Sequence, residues 1–170
     1  MSEGARVLEL STKLLGSLTQ LAEGDLDAVG IVRGEIERTQ PRLVVELLSV
    51  KSVPAGVGVS YGHTFITPVS TALALAAIGY GDGIPRKAGN RAAVTVFTHS
   101  AHRVPIVGRV AMNALVVDVG GLDIHEGDRA VVFGDPDRGE QSLAQWAEHL
   151  GESPVAVLAG IAARATLREV

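Results

Sequence analysis

From Pro41 onward the chain alternates short runs rich in Val, Leu, Ile and Thr with turns that carry Gly or Pro. This pattern constrains the fold more than any other feature, because strands of this length can bury a core only by packing side by side. The first run, 43–53, shows partial apolar alternation and ends at the turn signal Pro54-Ala55-Gly56. Further runs occupy 59–67, 71–78, 92–98 and 129–133. The stretch 103–119 is long enough for two strands with a bend near Gly108, and 164–170 predicts a last strand. Short strands at this spacing predict a mainly β barrel or sandwich.

The first 40 residues read differently. Val7, Leu8, Leu10, Leu14, Leu15, Leu18 and Leu21 recur at helical spacing, which predicts an amphipathic helix over about 5–22 that stops at Gly24. A short segment with Gly30, Gly34 and several charges then leads to Pro41. We therefore divide the chain into a helical extension, 1–40, and a β domain, 41–170. Near the other end, Ser142-Leu143-Ala144-Gln145 has the form of a capping box and predicts a helix to about Leu150 before Gly151. Leu143, Trp146 and Leu150 form its apolar stripe, so Trp146 is expected to anchor the core. Residues 154–161 are expected to make a short helical turn.

The chain contains no cysteine, which excludes disulfides, thiolate catalysis and Cys–zinc sites. The net charge of -4 gives no basic footprint for nucleic acid or an anionic membrane. No stretch approaches the length of a transmembrane helix, and charges near the N-terminus make a poor signal peptide, so a cytoplasmic location is the default expectation. Five histidines are scattered, and none has carboxylate spacing that completes a metal site.

The densest motif is Gly79-Tyr80-Gly81-Asp82-Gly83-Ile84-Pro85-Arg86. Glycine permits close backbone approach, so Tyr80 either projects from a tight turn or caps the core. A second cluster is Pro105-Ile106-Val107-Gly108-Arg109-Val110-Ala111-Met112-Asn113, and a third is Val59-Ser60-Tyr61-Gly62-His63-Thr64. With Val53-Pro54-Ala55-Gly56 and Trp146-Ala147-Glu148-His149-Leu150, these clusters stand in the order and spacing of one known family. Over about 41–170 the sequence resembles the C-terminal β-barrel domain of the fold-type III, pyridoxal-phosphate-dependent alanine racemases.

That resemblance implies a β-barrel; with the helices read above, the expected fold is a mainly β, alanine-racemase C-terminal-domain-like barrel with an N-terminal helix and one short C-terminal helix. It places Tyr80 at the family's catalytic tyrosine, which works on one face of the substrate α-carbon while a cofactor lysine works on the other. Met112 matches a residue whose backbone meets the substrate carboxylate. Asn113, Arg109, Arg86 and Asp82 are further candidate substrate contacts, the two arginines also being candidates to stabilise a phenolate. Asn113 stands where the family has aspartate, and Ala163 stands where it has a tyrosine before the last strand's arginine.

The family's (β/α)8 barrel, with its cofactor lysine, has no counterpart in this sequence, whose lysines are Lys13, Lys51 and Lys87. We therefore expect no cofactor in this chain alone, and pyridoxal phosphate only through pairing with a separate barrel domain. Three functions follow as expectations. The chain is a dimerisation, ligand-binding or partner-binding module that does not racemise unaided; or it donates Tyr80 in trans to a racemase-like barrel; or it is a repurposed cofactor-independent isomerase or cyclase that uses Tyr80. A homodimer or a racemase-like barrel is the expected partner, with a small molecule as a possible ligand and neither nucleic acid nor membrane.

Overall fold

A computed structural model describes residues 6–170. The chain forms β1 (Arg6–Leu10), α1 (Thr12–Ala22), α2 (Ala28–Thr39), β2 (Arg42–Val53), β3 (Gly58–Val59), β4 (Phe65–Ile66), β5 (Thr71–Ala76), β6 (Ala93–Phe97), β7 (Ala101–Val107), β8 (Leu115–Asp118), β9 (Arg129–Phe133), α3 (Leu143–Leu150), α4 (Pro154–Ala162) and β10 (Thr166–Glu169). The strands β2-β5-β8-β7-β6-β9 pair in that order, and β9 returns to β2, closing a six-stranded antiparallel barrel. A register shift between Leu47 and Ser49 bends β2. Its first half pairs with β9 and its second half with β5, so one strand forms the seam of the closure. Closure removes the exposed sheet edges that an open sheet would leave for aggregation.

Aliphatic side chains fill the interior. Val94, Val96, Ile106, Val117 and Ala130 are all buried. Trp146 on α3 is fully buried, its ring centroid 6.1 Å from that of Phe133. The indole Nε1–H donates to the Ala93 carbonyl at 3.0 Å, so the largest apolar group in the core leaves no polar atom unmet. The capping box at Ser142 and Gln145 is formed, and Gly151 ends α3 in the left-handed region at φ 62°.

The amino-terminal segment departs from its predicted form. Residues 6–10 are a strand, and the helix starts at Thr12, where the Ser11 hydroxyl accepts from the Leu14 amide at 3.3 Å. Val7, Leu8 and Leu10 satisfy helical spacing and a strand alike. The available edge of β2 decides for the strand: β1 pairs antiparallel with Arg42–Val45 and parallel with β10. The segment before Pro41 is also more ordered than its glycines suggest. It forms α2, whose Ala28, Val32 and Ile36 are buried at spacing i, i+4, i+8. The single strand expected over 59–67 is interrupted at Tyr61–His63, because Ser60, Gly62 and His63 all take positive φ. The carboxyl-terminal region carries two helices, α3 and α4, where one short helix and a turn were expected. None of the described helices is long and apolar enough to cross a membrane.

Candidate functional site

Three loops meet at one end of the barrel: the β3–β4 turn, the segment 79–90 between β5 and β6, and the segment 108–114 between β7 and β8. Gly79 and Gly81 carry no side chain because backbone stands where one would go. A Cβ on Gly79 would lie 2.3 Å from the Ala111 carbonyl oxygen, and one on Gly81 would lie 2.9 Å from that of Met112. This closeness lets the Tyr80 amide donate to the Ala111 carbonyl at 2.9 Å, and the Gly81 amide donate to the Met112 carbonyl at 2.8 Å. Gly83, at φ +97°, brings the same turn against the Gly160 carbonyl of α4. Tyr80 is thus tied to the 108–114 loop through its own amide and the next one.

Its ring is half-buried against the core, with the Arg86 guanidinium carbon 5.1 Å from the ring centroid. That is cation–π range. Both readings of the tyrosine are therefore partly realised: the ring packs on the core while its loop lies at the barrel end.

Asp82 is buried and serves the loop itself. Its Oδ2 accepts from the Gly79 amide at 2.9 Å, and its Oδ1 pairs with Arg6 of β1 at 2.9 Å. Met112 and Asn113 are exposed beside the turn, and the Asn113 Oδ1 lies 3.6 Å from a Cβ built on Gly81. Arg109 is exposed; its guanidinium faces Gly62, and its carbonyl accepts from the Ser60 hydroxyl at 2.6 Å. Tyr80, Arg86, Met112, Asn113 and Arg109 thus share one end of the barrel, while Asp82 lies beneath them.

Asn90, which carries no obvious motif signal, joins all three loops. Its Oδ1 accepts from the Gly108 amide at 2.7 Å, its Nδ2 donates to Thr64 Oγ1 at 3.1 Å, and its own amide donates to the Ile106 carbonyl. It does so at φ 59°, a conformation asparagine tolerates better than most residues. Ala163 lines an apolar groove with Leu15, Leu18, Ala159 and Leu167 between α1 and α4. Among the described residues no group of three or more His, Asp or Glu could hold a metal ion.

Comparison with known proteins bears on the whole arrangement. The family model for the alanine racemase C-terminal domain matches residues 41–168. The alanine racemase of Mycobacterium tuberculosis is 48% identical over 104 residues, covering 60% of this chain and 26% of that protein. The alanine racemase of Streptomyces coelicolor is 42% identical over 122 residues, covering 72% of this chain and 30% of that protein. Among solved structures, the alanine racemase of a D-cycloserine-producing Streptomyces lavendulae superimposes with a TM-score of 0.71 at 38% identity, over 76% of this chain and 33% of that one. The Bartonella henselae alanine racemase, solved with covalently bound pyridoxal phosphate, gives 0.68 at 28% identity, over 76% of this chain and 35% of that one. This chain therefore spans about a third or less of its relatives' length.

Proposed function

The chain belongs to the alanine racemase C-terminal-domain family, and from that premise we propose that it is a partner-binding module that presents Tyr80 to a racemase-type barrel carrying pyridoxal phosphate. The observation that carries this reading is the backbone clamp on Tyr80. Two hydrogen bonds from successive amides to successive carbonyls fix the turn, as a group that must meet a partner's active site in one geometry requires.

The lysines support assigning the cofactor to the partner. Lys13 Nζ pairs with Glu35 at 2.8 Å, Lys87 Nζ pairs with Glu152 at 2.7 Å, and Lys51 is exposed on β2. Two of the three lysines are thus engaged in ion pairs, which favours a cofactor held by the partner, and we route no step through a cofactor held here. The partner's pyridoxal phosphate would act as the electron sink that acidifies the substrate α-proton. This chain would contribute the Tyr80 hydroxyl as proton donor or acceptor on one face. Arg86 would hold the ring, and backbone amides of Met112–Asn113 would donate to the substrate carboxylate.

The test adds the purified full chain to a pyridoxal-phosphate-loaded racemase barrel that lacks its own C-terminal domain. Racemisation of alanine should appear only in the mixture and disappear with Tyr80→Phe. A complex that forms without activity would overturn the tyrosine role. Stoichiometric visible absorbance of bound pyridoxal phosphate in this chain alone would overturn the half-site reading.

A further inference from the structure

We propose that Arg6 is a positioning residue for the Tyr80 turn, acting through Asp82. The ion pair joins two parts of the chain with different histories of resemblance. Asp82 lies inside the matched segment 41–168, whereas Arg6 lies on β1, outside it.

The physical case rests on what the Asp82 carboxylate would lose. Its side chain is only 6% exposed; one oxygen accepts from the Gly79 amide and the other pairs with Arg6. A buried carboxylate with a single neutral donor carries an uncompensated charge, and the least costly relief is to move toward water. Tyr80 sits between Gly79 and Asp82 in the same turn, so it cannot stay still when Asp82 moves. The hydrogen bonds to Ala111 and Met112 keep the turn from leaving altogether. The result is a displaced tyrosine on an otherwise intact barrel. β1 is itself fixed by pairing with β2 on one side and β10 on the other, so Arg6 approaches the turn from a rigid element.

The functional consequence rests on the Tyr80 reading above, but the structural test does not. The chain has two tyrosines, so Tyr61→Phe isolates the ring resonance of Tyr80 in isotope-labelled protein, while the indole N–H of its one tryptophan, Trp146, reports the core. Arg6→Gln should shift and broaden the Tyr80 signal and leave the Trp146 signal in place; Arg6→Lys, which keeps the charge, should restore Tyr80. An unmoved Tyr80 signal in Arg6→Gln overturns the proposal. If Arg6→Gln disturbs Trp146 as well, Arg6→Lys decides: a parental Tyr80 signal supports positioning by charge, and a shifted one overturns it. In the mixed racemase assay, Arg6→Gln should lower kcat on the order of 100-fold, as misplacement by about 1 Å does, with KM for alanine unchanged. A Tyr80 signal that responds as stated, beside an inactive mixture for the parent chain, would sink the partner reading and leave the positioning role standing.

Discussion

Gly79 and Met112 are in direct backbone contact: a Cβ placed on Gly79 would sit 2.4 Å from the Met112 carbonyl oxygen. No side chain tolerates that approach, so Gly79→Ala must push the Tyr80 turn away from the 108–114 loop. The cost of such overpacking is about 1–3 kcal/mol, read as a lower midpoint in urea unfolding. Gly16→Ala is the matched control, because nothing lies within 4 Å of its Cβ position in α1. That change should stabilise by roughly 0.5–1 kcal/mol.

Trp146 couples the helix α3 to β6. Trp146→Ala removes a fully buried ring and should cost about 3–5 kcal/mol. Trp146→Phe keeps much of the volume but leaves the Ala93 carbonyl without its donor, at about 1–3 kcal/mol. Thermal unfolding of both variants separates packing from hydrogen bonding, and equal losses would contradict that division.

The Arg42–Glu140 pair ties β2 to the loop after β9. Arg42 Nε donates to both Glu140 oxygens, at 2.8 and 2.9 Å, and the Asp135 amide donates to the same carboxylate. The Glu140 side chain is fully buried. Glu140→Ala should cost about 1–3 kcal/mol, because it leaves a mostly buried guanidinium with the Glu9 carboxylate at 3.5 Å in place of its closer partner; the double change Arg42→Met with Glu140→Leu should cost less than the single one. Chemical denaturation of both variants checks the order.

The carboxyl of Glu35 on α2 is held below its ordinary value of 4.5 by hydrogen bonds from Arg38 and then Lys13. A lowered folded-state pKa means that its stabilising effect is complete above the unfolded value and is lost as pH falls through the folded one. The difference in Tm between the parent and Glu35→Gln should therefore be largest above about pH 5 and shrink in acid. A difference that grows toward low pH would refute this.

β1 fills the edge of β2, and Leu8, Leu10 and Leu14 are fully or almost fully buried. A chain shortened to begin at Pro41 should therefore lose cooperative unfolding or aggregate, which light scattering would detect. An unchanged soluble monomer would show that the first 40 residues are dispensable.

Much of the barrel was readable in the sequence because its strands carry local signals. The run 43–53, the bend at Gly108, the capping box at Ser142 and the left-handed stop at Gly151 each depend on the residues present there. The co-location of Tyr80, Met112 and Arg109 followed from family resemblance, not from spacing. Asn90 escaped notice because its role lies wholly in long-range hydrogen bonds, although its left-handed φ is a conformation asparagine favours. For α2, the i, i+4, i+8 stripe of Ala28, Val32 and Ile36 was present but obscured by two glycines.

The sequence by itself determined a mainly β chain with racemase-family turns, because glycine placement and apolar alternation act within a few residues. Only the tertiary structure decided that residues 6–10 form a strand and that Asp82 faces Arg6 from below the turn. Val7, Leu8 and Leu10 suit helix and strand equally, and the unpaired edge of β2 settled the choice. An ion pair between residues 6 and 82 leaves no mark on either local sequence, because it depends on how the closed barrel brings distant segments together.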